Sequence, residues 1–75
     1  MKKQLLILKA LSHPVRVDII YALKDRESRC VCEIQRMQSV KDVSQSSLSQ
    51  HLKILRDADL VNTKKVGGWV HYSIK

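Results

Sequence analysis

Two short stretches carry side chains whose types and spacing could do chemistry. Cys30-Val31-Cys32 offers two thiols one residue apart, and thiolates ligate soft metals and metalloids and act as redox nucleophiles. Ser44-Gln45-Ser46-Ser47-Leu48-Ser49-Gln50 offers clustered hydroxyls and amides, the groups that meet base edges and phosphates. Other chemistries lack their parts. There is no Gly-rich phosphate loop, no serine elbow and no pair of carboxylates at a useful spacing. His13, His51 and His71 are too scattered for a metal cluster and read as structural. Asp57 and Asp59 close a helix with no identifiable partner, so the chain is not expected to be an enzyme.

The polar stretch belongs to a helix within residues 43–60. Ser44 suits the N-cap, where its hydroxyl takes up a backbone N–H that the first turn leaves unpaired. Leu48, Leu52 and Leu55 recur at i, i+4 and i+7 and form one apolar stripe. Opposite it lie Ser46, Gln50, Lys53 and Asp57, flanked by Ser47 and Ser49. A solvated face usually carries long charged residues, which favour helix, whereas each Ser costs a few tenths of a kcal/mol relative to Ala. Small hydroxyls instead let a helix come close to a duplex, and Gln can bond adenine at two points. The competing reading is a capped polar surface helix.

The cysteines leave three readings open: a soft-metal or metalloid site, a redox switch, or two small buried hydrophobes. Residues i and i+2 of an intact helix point about 200° apart, so chelation by both requires a non-helical or unwound segment. A position at a helix N-terminus would lower the thiol pKa and favour the redox reading.

The remaining chain must position these stretches. A first amphipathic helix covers about residues 3–11, with Leu5, Leu8 and Leu11 along one side. Its Met-Lys-Lys start imitates a secretion signal, but Lys9 interrupts the apolar run and no small-residue cleavage site follows. Ser12-His13-Pro14 restarts the chain, with Pro14 at the first position of a second helix reaching about Lys24, its inner side Val15, Ile19, Ala22 and Leu23. Residues 25–29 read as a loop and Cys30-Val31-Cys32 as a short extended stretch. A third helix is expected from Cys32 or Glu33 to about Ser39, with Ile34 and Met37 in the core, and residues 40–43 turn into the serine-rich helix. Two helices joined by a short turn make a helix-turn-helix.

After Leu60 the pattern alternates. With Gly67-Gly68 as a two-residue turn, Val61, Thr63 and Lys65 face Ile74, Tyr72 and Val70, while Val66 meets Trp69, Lys64 meets His71 and Asn62 meets Ser73. Val61, Val70, Tyr72 and Ile74 are expected to cover the helices, since two strands alone are unstable in water. Lys64 and Lys65 near the tip suit a phosphate backbone or serve as edge-strand solubilisers, and Trp69 is expected to clamp Val66.

Seventy-five residues make one domain, 1–75, with a marginal core, because a chain this short buries only ~60% of its unfolded surface. The net charge is +7, with nine basic against five acidic residues up to Val43 and five against two beyond it. Both halves share the excess, so a polyanion is the natural partner. No membrane span and no targeting segment are read, which places the chain in the cytoplasm, where thiols stay reduced.

Ala-Leu-Ser-His-Pro-Val-Arg at 10–16, Cys-Val-Cys-Glu-Ile at 30–34, Ser-Gln-Ser-Ser-Leu-Ser-Gln-His-Leu-Lys-Ile-Leu at 44–55 and Gly-Gly-Trp-Val-His-Tyr-Ser at 67–73 together resemble the ArsR/SmtB family of winged-helix transcriptional repressors. The four pieces stand in the family's order and span nearly the whole chain. The resemblance implies a mainly α fold with a small β-hairpin (α+β), the winged helix-turn-helix. It implies a homodimer on an inverted-repeat DNA operator that lets go when a metal ion, metalloid or oxidant reaches its cysteines, with no cofactor required. It makes Gln45, Ser46, Ser49 and Gln50 the operator-reading residues, and Lys64 and Lys65 wing contacts to phosphate. The helix face adds Ser47 and Lys53 to the DNA-binding set, and Cys30 and Cys32 are the candidate metal ligands. The family's arsenite-type sites take a third thiolate three residues after the second cysteine, where this chain has Gln35. Members also carry a final helix that pairs with the first across the dimer. The alternatives are a DNA-binding regulator without metal sensing, a soft-metal-binding protein, and a winged-helix protein-interaction module.

Overall fold

The computed structural model describes residues 2–25 and 28–75; Met1 and two residues of the expected loop, Arg26 and Glu27, lie outside the described residues. The order is α1 (Lys2–Ala10), α2 (Pro14–Lys24), β1 (Arg29–Cys30), α3 (Val31–Gln35), a 3₁₀ turn (Gln38–Val40), α4 (Gln45–Asp57), β2 (Val61–Val66) and β3 (Trp69–Ile74). The strands form one antiparallel sheet in the order β1-β3-β2. Among the described residues no helix is long and apolar enough to cross a membrane.

Local sequence explains most boundaries. Pro14 starts α2, and the His13 imidazole caps it, Nδ1 accepting a hydrogen bond from the Val15 N–H at 3.2 Å. α4 ends in a Schellman turn: the Leu60 N–H donates to the Leu55 carbonyl, and Asp59 sits between at φ 64°. Asp59 tolerates that left-handed conformation and is held by Lys3 at 3.7 Å and by Lys75. Asp57 takes Lys53, so both carboxylates that the sequence left without partners have one. Gly67 and Gly68, at φ 58° and 86°, make the primed turn that joins β2 to β3 in the expected register, pair for pair.

The core lies between α2, α4 and the 30–40 segment. Ile19 and Leu23 of α2, Ile34 of α3 and Leu55 of α4 are its fully buried large side chains, each worth about 1.5–3 kcal/mol relative to exposure. Val61 and Ala58 close it beneath the sheet, with Tyr72 packed against its edge, while Ile74 stays partly exposed.

Two expectations are corrected. The third helix does not run to Ser39; it begins at Val31 and stops at Gln35. The reason is the spacing of its apolar residues. Ile34, Met37, Val40 and Val43 recur every three positions, and the N–H of each later member donates to the carbonyl of the one before. A period of three matches the 3₁₀ turn, whereas an α-helix would rotate such residues progressively off the core. Second, the extended stretch is Arg29–Cys30 only, and it adds a third strand to the hairpin by pairing Arg29 with Tyr72 and Cys30 with His71. On α1, Leu5 and Leu8 are 65% and 67% exposed, and Ala10 is the buried residue of the helix.

Candidate nucleic-acid interface

α4 begins at Ser44, whose extended backbone turns its Oγ to accept from the Ser47 N–H at 3.1 Å. Leu48, Leu52 and Leu55 are buried. With that side anchored, Gln45, Ser46, Ser47, Ser49, Gln50 and Lys53 are all exposed. The Lys53 Nζ donates to Asp57 one turn on at 3.0 Å, an exposed pair that contributes at most about 1 kcal/mol and opens readily to a stronger anion.

Lys64 and Lys65 are exposed on β2. Their register partners are His71 and Val70, so they stand on opposite faces of the ribbon. Lys65 shares the face of Val70 and Tyr72, and those two residues form one wall of a cleft of about 410 Å³. The facing wall comes from α4: Gln45, Ser49, Lys53 and Arg56. The wing therefore stands beside one flank of the serine-rich face. Arg56 is absent from the sequence-based set, although the steps from Gln45 to Ser49, Lys53 and Arg56 follow one helix flank and could have found it. Trp69 pairs with Val66 as expected, and both remain half exposed.

Behind α4, two histidines and an arginine lie close together. The His13 and His51 rings are 4.5 Å apart at 51°, and Arg16 is only 8% exposed with Nε and Nη1 buried and unpartnered. The His51 Nδ1 is likewise buried without a partner. Burial first, then repulsion from His13 and Arg16, lowers the His51 pKa below its ordinary 6.5. The folded state thus prefers neutral imidazole, and the unfolded chain takes up the proton first. Stability is expected to fall as pH drops below about 6.5 and to level off beneath the folded-state pKa. Urea midpoints between pH 7.5 and 5 should fall less in His51→Gln than in the parent; an identical fall in both would remove His51 as the cause.

The thiols take an arrangement that the sequence reading did not foresee. Cys30 is the N-cap of α3, with extended backbone at φ −63° and ψ 146°, and its Sγ accepts from the Cys32 N–H at 3.3 Å. Glu33 completes a capping box by accepting from the Cys30 N–H at 3.3 Å. Because Cys30 lies outside the helix as its N-cap, its sulfur folds back over the first turn to the Cys32 N–H, and the two cysteines do not both stand in helical backbone. The hydrogen bond to Cys30 raises the Cys32 pKa, with burial and repulsion from that sulfur adding to it. The Glu33 N–H at the helix start and the Arg36 charge pull the other way and are outweighed. Cys30 is 6% exposed and Cys32 half-buried; no group of three metal-ligating side chains occurs among the described residues.

The profile of the family described as bacterial regulatory protein, arsR family, matches residues 13–63. The chain belongs to the arsR family. It is 41% identical over 66 residues to the arsenical resistance operon repressor of Bacillus subtilis, covering 88% of this chain and 60% of that one. It is 32% identical over 68 residues to a Staphylococcus aureus homologue of the cadmium resistance regulatory protein CadC, covering 91% and 54%. The structure of HlyU from Vibrio cholerae superposes with a TM-score of 0.81 at 38% identity, covering 99% of this chain and 76% of that one. The winged helix-turn-helix is the fold of this arsR-family chain, and its relatives are regulators rather than enzymes. The chain spans somewhat over half the length of these curated relatives.

Proposed function

We propose that this arsR-family chain is a sequence-specific regulator of transcription that binds double-stranded DNA as a homodimer in the cytoplasm. The observation that carries the reading is the outward set of Gln45, Ser46, Ser47, Ser49, Gln50 and Lys53 on a helix whose other side is anchored by three buried leucines. Ser46 and Gln50 point away from that anchor and read bases; Gln45, Ser47, Ser49 and Lys53 flank them; Lys64 and Lys65 hold the adjoining phosphates from the wing. The dimer is supported by α1, where Leu5 and Leu8 lie two-thirds exposed on one face. A monomer would leave that apolar face in water.

The proposed direction is repression, released at Cys30 and Cys32 by a soft metal or metalloid ion or by an oxidant. Ligation displaces both thiol protons, and oxidation to a disulfide removes two protons and two electrons. In either case the position of the Cys30 sulfur is set by the bound ion or by the new S–S bond and no longer by the Cys32 N–H, so the cap of a five-residue helix is re-aimed. Caps contribute about 0.5–2 kcal/mol, which is large for one turn and a half. α3 also supplies Val31, the residue between the cysteines, to the cleft beside α4, so the change reaches the DNA-facing flank directly. With two thiols and no third ligand group among the described residues, a closed site would draw on a partner subunit or an exogenous anion.

The test is a protein with Cys30→Ser and Cys32→Ser. A serine hydroxyl keeps the cap, so DNA affinity should stay within about threefold of the parent. Release by arsenite, cadmium or diamide should disappear. Release by any of them at the parent's concentration would place the sensor elsewhere; if the parent itself ignores all three, the chain is a regulator without thiol sensing.

A further inference from the structure

The cleft between α3, α4 and β3 has a use that the reading face alone does not explain. Its α4 wall contains Gln45, Ser49 and Lys53, so a duplex seated on the exposed face of α4 borders it. Two cations, Lys53 and Arg56, line it, and no carboxylate does. Lys53 is engaged by Asp57, whereas the Arg56 side chain has no ion pair or hydrogen bond among the described residues. Arginine in a last helical turn is favoured by the helix dipole, which accounts for its presence there but not for a cleft without acidic residues. A guanidinium free to make two parallel bonds is the best phosphate grip available to a side chain.

We propose that one strand of DNA backbone lies in this cleft, gripped at a phosphate by Arg56, with Gln35 and Tyr72 as neutral donors on the other walls. The inference rests on the DNA-binding reading above and adds a backbone contact made by α3, the element that holds the thiol pair. It also explains why Lys65 and Tyr72 share one face of the wing: that face borders the path of the strand.

A random-sequence duplex is the probe, because a phosphate contact acts on any sequence. Fluorescence anisotropy across a KCl series gives the affinity and its salt slope. Arg56→Gln should lower the slope by about 0.9, the signature of one phosphate contact, and weaken binding about eightfold at about 0.1 M salt relative to a 1 M reference. Arg56→Lys should restore the slope, since the charge returns. Lys24→Gln makes the same change in net charge on α2, where the Lys24 Nζ lies 5.1 Å from the centre of the Tyr21 ring. Its slope should match the parent's. Equal slope losses in Arg56→Gln and Lys24→Gln would reduce the effect to net charge and overturn the inference. An unchanged slope in Arg56→Gln would also overturn it, and an accompanying shift in sedimentation would assign the cleft to a second copy of the chain. A parent that binds no duplex at all would instead sink the DNA-binding reading itself.

Discussion

Changing Leu5 and Leu8 together to glutamate should leave the protein folded but monomeric. Both side chains are about two-thirds exposed on α1, so a carboxylate there costs the isolated chain little. In a dimer they would be buried, at about 1.5–3 kcal/mol each in lost transfer energy and more for the unpaired charge. Sedimentation should shift to the monomer mass with the far-ultraviolet dichroism unchanged. Binding to a two-half-site operator should fall by about 10²–10⁴, the gain that linking two modules supplies without new contacts. Affinity for one half-site should be unaffected. A double variant that still sediments as a dimer would exclude this face of α1 as the interface.

The second large effect is expected at Gln50. It lies on the exposed side of α4, one turn after Ser46, where it can reach a base edge. Gln50→Ala should cost about 1–3 kcal/mol of discrimination against the wrong base at one operator position, while binding to random duplex changes little. Helix stability should not fall, because alanine is the better helix former. Equal losses on operator and random DNA would make Gln50 a backbone contact instead.

Much of this arrangement can be read without coordinates, for reasons that lie in particular residues. The Gly67-Gly68 pair allows one turn geometry, and the alternation around it permits one register, so every pair from Val61–Ile74 to Val66–Trp69 follows. The serine cap and the leucine stripe of α4 are local features and are equally legible. What escaped is set by tertiary contact or by weak local signals. The three-residue spacing of Ile34, Met37, Val40 and Val43 was present in the sequence but is ambiguous against a helix until the hydrogen bonds are seen. Pairing of Arg29–Cys30 with β3 depends on a strand about 40 residues later, as long-range pairing does. The thiol of Cys30 as a helix cap has no standard signature, because serine, threonine, aspartate and asparagine normally fill that position. The orphaned polar atoms of Arg16 and His51 could not be inferred from a wheel that shows faces but not neighbours.

Sequence reading by the small polar groups of α4 is the property on which the proposed function depends. Selection from a pool of random duplexes by the purified protein, followed by sequencing, measures this directly. The parent should enrich one inverted repeat, and Gln50→Ala should lose preference at matching positions in both half-sites while the other positions keep theirs. Enrichment of no sequence by a parent that nonetheless binds the pool, or the same motif selected by both proteins, would contradict it.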